Sequence, residues 1–109
     1  MVDIHIFGIT TEAGKAASLN LREEFENINI YGYSRNSSKN IKFNLKRPDL
    51  YKLNNLENPS LILSFCPIWD LSNFLKYNFE NNPNEFKNIE GVISTSSTSV
   101  LTKRFAFNK

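Results

Sequence analysis

Along the chain, short apolar runs alternate with stretches whose apolar residues recur every three or four positions. Val2 to Ile9 sets Val2, Ile4 and Ile6 beside Phe7 and runs into Gly8, which predicts a strand entering a tight turn. Gly14 to Phe25 follows, with Ala17, Leu21 and Phe25 spaced by four, a helical stripe. Ile28 to Tyr33 reads as a second strand and Ile41 to Leu45 as a short third. Leu50 to Leu56 fits a helical turn or two. Ser60 to Phe65 is a continuous apolar run, the pattern of a strand covered on both faces, and Pro67 ends it. Leu71, Phe74, Leu75 and Phe79 then take helical spacing, with Asp70 as the expected N-cap and Trp69 and Phe74 as packing residues. Glu90 to Ser94 opens a last strand that leads into a Ser/Thr-rich segment.

This order is βαβ, a further strand, then βαβ. It predicts an α/β fold: a Rossmann-like parallel sheet of about five strands flanked by helices, an incomplete doubly wound arrangement. No internal repeat or linker divides residues 1–109, and that length suits a single domain.

Charge and composition narrow the function classes. Thirteen basic and eleven acidic residues leave a net charge of +2, which gives no reason to expect nucleic acid or an anionic membrane surface as partner. No stretch approaches the ~18–20 apolar residues of a membrane span. The chain is therefore expected to be soluble and cytoplasmic. One cysteine, Cys66, excludes an internal disulfide, and with one histidine, His5, no zinc site is expected. His5 alternates with apolar residues and reads as a strand residue without a catalytic role. Cys66 has no histidine assigned to activate it, and Glu23, Glu24 and Glu26 read as a solvated helix face.

Candidate chemistry lies in the turns. Gly8-Ile-Thr-Thr-Glu-Ala-Gly14 joins the first strand to the first helix. A phosphate-binding turn needs glycine there, because the backbone must turn tightly and approach a pyrophosphate without a Cβ between them. The helix N-terminus adds unbonded N–H groups and the positive end of its dipole. The plain alternative is an ordinary strand–turn–helix connection capped by Thr10 or Thr11. An NAD site carries an acid about 20 residues past the glycine turn to bond the ribose 2′-hydroxyl. Here Ser34-Arg35-Asn36-Ser37-Ser38-Lys39 has no acid, and Arg35 suits a 2′-phosphate, so NADP is expected in preference to NAD.

These residues resemble the extended short-chain dehydrogenase/reductase family, the NAD(P)-dependent epimerase/dehydratases that act largely on nucleotide sugars. The resemblance covers nearly the whole chain but only the N-terminal part of such an enzyme. Gly8 to Gly14 matches the family's Gly-x-x-Gly-x-x-Gly with Thr11 in place of the middle glycine, and Arg35 falls where NADP-binding members carry a basic residue. Asn44-Leu45 matches the Asp-Leu or Asp-Val that meets the adenine, and an amide can still bond the adenine edge. Phe65-Cys66-Pro67 falls where the family's backbone passes close to the cofactor. Ser96-Ser97-Thr98-Ser99-Val100 resembles the Ser-Ser-x-x-Val in which the second serine, here Ser97, bonds the reacting substrate oxygen.

The resemblance implies an NAD(P)-binding domain with Gly8, Thr10, Thr11, Gly14, Ser34, Arg35, Asn44, Leu45, Phe65, Cys66 and Pro67 about the cofactor and Ser97 as catalytic serine. The Tyr-x-x-x-Lys pair and the substrate domain of the family are missing, so catalysis is expected to be incomplete. A sheet ending at its fifth strand leaves an edge for self-association or a partner chain, with the Phe105-Ala106-Phe107 tail uncovered. A non-catalytic binding or scaffold protein that kept the fold and lost cofactor binding is the alternative. A receiver-like signalling domain would want clustered acids after the first strand, and none is there.

Overall fold

A computed structural model describes residues 2–35, 40–53, 56–95 and 102–105. The elements run β1 (Val2–Phe7), α1 (Glu12–Glu24), β2 (Ile28–Ser34), β3 (Ile41–Lys42), β4 (Ser60–Ser64), α2 (Ile68–Asn81), α3 (Pro83–Phe86), β5 (Ile89–Thr95) and β6 (Thr102–Phe105). They form a sheet in the order β3-β2-β1-β4-β5-β6. The first five strands are parallel to their neighbours, so the α/β, Rossmann-like architecture expected from the alternation is the one found. The winding reverses between β1 and β4, where sequence-distant strands become neighbours.

Alternation along β1 sorts the two faces of the sheet. Ile4 and Ile6 point to the α1 side, where Ile9, Leu21, Ile28, Ile30, Leu63 and Phe65 complete a small core. Phe7 points the other way, into the larger core made by Tyr33, Phe43, Ile62 and Val92 with Leu71, Phe74 and Leu75 of α2 and Phe86 of α3. Phe7, Phe43 and Phe74 meet pairwise at centroid separations of 5.1–5.6 Å in tilted and edge-on contacts. Full burial of each such ring stabilises the fold by roughly 1.5–3 kcal/mol. α3 escapes the sequence pattern because a single turn carries no period; Pro83 starts it and Phe86 anchors it.

Several expectations need correction. The sheet does not end at β5: β6 pairs antiparallel with it, Val92 opposite Phe105 and Thr95 opposite Thr102. The β5 edge is therefore occupied, and Phe105, expected to lack a partner in the chain, belongs to a strand. β3 is two residues long, Ile41–Lys42, shorter than the expected run from Ile41 to Leu45. Residues 50–53 form no helix.

The buried face of α1 is Gly14 and Ser18 with Leu21 beside them. Phe25 is an extended C-cap residue and 52% exposed, because the helix stops before the stripe reaches it. α2 starts earlier than its apolar stripe: Pro67 is the residue before it, no side chain caps it, and Asp70 lies in its first turn facing the dipole. Trp69, expected to pack, is 73% exposed, whereas Phe74 is wholly buried. No helix among the described residues is long and apolar enough to cross a membrane.

Candidate functional site

The carboxyl ends of β1, β2 and β4 open onto a cleft of about 410 Å³, completed by the segment after β3. Its position is dictated by topology. Parallel strands end their side chains on one rim, and the reversal of winding between β1 and β4 parts the connections that leave them. The volume falls within the ~300–1,000 Å³ usual for small-molecule sites.

The turn after β1 forms one wall. Gly8 has φ of 76°, a conformation that side-chain-bearing residues rarely adopt, and its amide donates to Tyr33 O at 3.3 Å. Thr11 is the N-cap of α1: its Oγ1 donates to Gly8 O at 2.7 Å and accepts from Gly14 N at 3.0 Å. Of the two capping residues the sequence allowed, Thr11 has the role. Gly14 lies beneath, buried, where a Cβ would collide with the Gly8 carbonyl oxygen and come within 3.0 Å of Ile9 Cα. A Cβ on Gly8 would in turn stand 3.2 Å from Phe65 Cβ. The two glycines thus let β1, α1 and the end of β4 close on one another. The amides of Glu12 and Ala13, first in α1, have no acceptor within the helix and stand at its positive end. Glu12 is exposed in that first turn.

The remaining walls come from separate segments. Ser34 is buried and Arg35 exposed at the end of β2; Asn44 and Leu45 follow β3 with Lys46; Phe65, Cys66 and Pro67 follow β4, and Asp70 closes the α2 side. Arg35 and Lys46 are cationic and Asp70 is the acid among these lining side chains. Asn44 Oδ1 accepts from Lys46 N at 3.0 Å. Burial pushes the Cys66 thiol above its ordinary range, opposed by the Arg35 charge, so the free thiol is a poor nucleophile.

Every residue expected about a cofactor lines this cleft except Gly14, which shapes the turn from below. Ser97 lies outside the described residues. Phe7, Tyr33, Phe43, Lys46 and Asp70 also line the cleft and were not expected there. Tyr33 and Phe43 each fell within an apolar strand pattern that says nothing about a rim. Among the described residues no group of three or more His, Cys, Asp or Glu is placed to hold a metal.

Beneath the cleft floor, His5 is wholly buried, with Nδ1 hydrogen-bonded to Tyr33 Oη at 2.7 Å and the ring stacked on Tyr31. Its Nε2 has no hydrogen-bond partner among the described residues. Desolvation lowers its pKa to about 4, against the opposing pull of the Asp3 charge. Asp3 itself is buried and accepts from Asn29 Nδ2 at 3.0 Å and Asn58 Nδ2 at 3.4 Å. His5 is thus a neutral structural group supporting a cleft residue.

No protein-family model, curated protein or solved structure matches the chain.

Proposed function

We propose that the chain is an NAD(P)-binding domain, with NADP preferred, resembling the N-terminal half of a nucleotide-sugar epimerase/dehydratase-type oxidoreductase and incomplete for catalysis. The observation that carries this reading is the convergence of Gly8, Thr10 and Thr11 with residues 34–35, 44–45 and 65–67 on one cleft beside the reversal of winding. A Cβ at Gly8 would crowd Phe65 and one at Gly14 would collide with the Gly8 carbonyl oxygen, so the two glycines give the turn the tight packing against α1 that a phosphate-binding turn uses. The N-terminus of α1 suits the pyrophosphate, and the exposed Arg35 guanidinium suits a ribose 2′-phosphate. A bound dinucleotide supplies the hydride acceptor or donor; the residues of this chain bind and orient it.

The alternative, a scaffold that kept the fold and lost the cofactor, draws on Thr11 and Asp70. The Thr11 side chain occupies the spot where a middle glycine would leave backbone bare, and Asp70 brings a negative charge to the cleft. Calorimetric titration separates the two. The dinucleotide reading expects saturable NADPH binding, weakened about tenfold to a hundredfold by Arg35→Ala, with NADH changed by less than about threefold. A folded chain that takes up neither cofactor leaves the scaffold.

A further inference from the structure

Asp70 is the acid of the cleft, and its carboxylate is left to meet a ligand. It is half-buried in the first turn of α2, lines the cleft, and has no hydrogen-bond or ion-pair partner among the described residues. Cys66 relates it to the glycine turn. Cys66 Sγ stands 3.4 Å from where a Cβ on Gly8 would be. The thiol, raised first by burial, feels the Arg35 and Asp70 charges in opposite senses. Both charges therefore act beside the turn, yet among the described residues they form no ion pair with each other. The strand order sets their sequence along the rim: Arg35 follows β2, Gly8 follows β1 and Asp70 follows β4, and these strands are neighbours in that order.

Phosphate suits the first two of these stations, the guanidinium and the helix N-terminus behind the turn. A dinucleotide with its 2′-phosphate on Arg35 and its pyrophosphate over the turn carries its next group toward β4 and α2, and that group is a second ribose. We propose that Asp70 accepts hydrogen bonds from the diol of this second ribose, making a sugar subsite at the end of β4. A carboxylate offers two oxygens to two adjacent hydroxyls, the chemistry by which the acid of an NAD site holds the other ribose, and a charged acceptor makes the stronger bond. A further phosphate at that place would meet like charge, which turns a longer phosphate chain away. The inference rests on the dinucleotide reading and gives Asp70 a part in holding the ligand.

Calorimetric titration of the wild-type chain and of Asp70→Ala with three ligands tests it. NADPH is the first. The second, 2′-phospho-ADP-ribose, keeps the second ribose without the nicotinamide, and the third, adenosine 2′,5′-bisphosphate, has neither. Asp70→Ala is expected to weaken the first two about tenfold. It should leave the third unchanged or bound more tightly, because an anion has left the cleft. The bisphosphate also reports a folded site in the variant, so loss of fold is not mistaken for loss of the subsite. If Asp70→Ala binds NADPH as tightly as the wild-type chain, or more tightly, Asp70 only repels the ligand; that overturns the inference and leaves the dinucleotide reading standing. Equal weakening of all three ligands, or weakening of NADPH alone, also overturns it. A folded wild-type chain that binds none of them overturns both.

Discussion

Gly14→Ala tests the packing of the cleft turn, because helix propensity and structure predict opposite signs. Gly14 is the third residue of α1, and in an exposed helical position alanine is favoured over glycine by ~1 kcal/mol. Here the new Cβ would run into the Gly8 carbonyl oxygen and stand 3.0 Å from both Ile9 Cα and Thr11 Oγ1. Two of these atoms are backbone and the third is the cap, so no flexible side-chain end can swing aside. Moving α1 away weakens the 3.0 Å bond from Gly14 N to Thr11 Oγ1, a cap worth about 1 kcal/mol. Overpacking of this kind costs about 1–3 kcal/mol.

Set against the propensity gain, the net loss is about 1–3 kcal/mol, a fall of about 1 M in the urea midpoint for a slope of ~2 kcal/mol/M. Far-UV circular dichroism through a urea titration reads it directly. Ala16→Gly, at an exposed position in the same helix, serves as the reference and is expected to cost about 1 kcal/mol from propensity alone. A Gly14→Ala chain as stable as wild type, or more stable, would refute the close approach of α1 to the turn.

Other expectations follow from the same geometry. Thr11→Ala should destabilise by about 1 kcal/mol and Thr11→Gly by only a few tenths, measured in the same urea titration, since glycine is itself a tolerated N-cap. The folded pKa of His5, about 4, lies below the ordinary histidine value of 6.5, so on acidification the unfolded chain takes the proton first. Its contribution is fully present above pH 6.5 and fades toward pH 4, a loss of about 3 kcal/mol across that window, and His5→Leu should flatten that part of the stability–pH curve. Because burial raises the Cys66 pKa, iodoacetamide at pH 8 should alkylate it more slowly than free cysteine, and saturating NADPH should slow it further by covering the cleft.

The elements legible in the chain were those whose burial sets a period. β1, β2, β4 and β5 carry apolar runs that both faces of a parallel sheet demand, and Leu71, Phe74 and Leu75 mark the one stripe of α2 that meets the sheet. β6 was not legible, because Thr102 to Phe105 has no run and its strand character comes from the open β5 edge that it joins. Trp69 misled because bulk is read as burial, yet its position in the first turn of α2 turns it outward from the stripe.

At the site, Gly8 was legible from its type, since a turn with φ of 76° calls for glycine. Tyr33 and Phe43 were not, because apolar residues facing a core and those lining a rim share one pattern. The orientation of the Asn44 amide depends on a bond to Lys46 N that residue identity does not reveal.

The central claim is that residues from distant parts of the chain hold one dinucleotide at the carboxyl rim of the sheet. An NMR titration of the ¹⁵N-labelled chain with NADPH tests it most directly, because each amide reports its own position. The account predicts saturable shifts at Gly8, Thr10, Thr11, Arg35, Asn44 and Cys66, with Leu19, Glu23 and Lys87 unmoved on exposed surface away from the cleft. Shifts confined to other surfaces, or a spectrum of a folded chain that NADPH leaves unchanged, would contradict it.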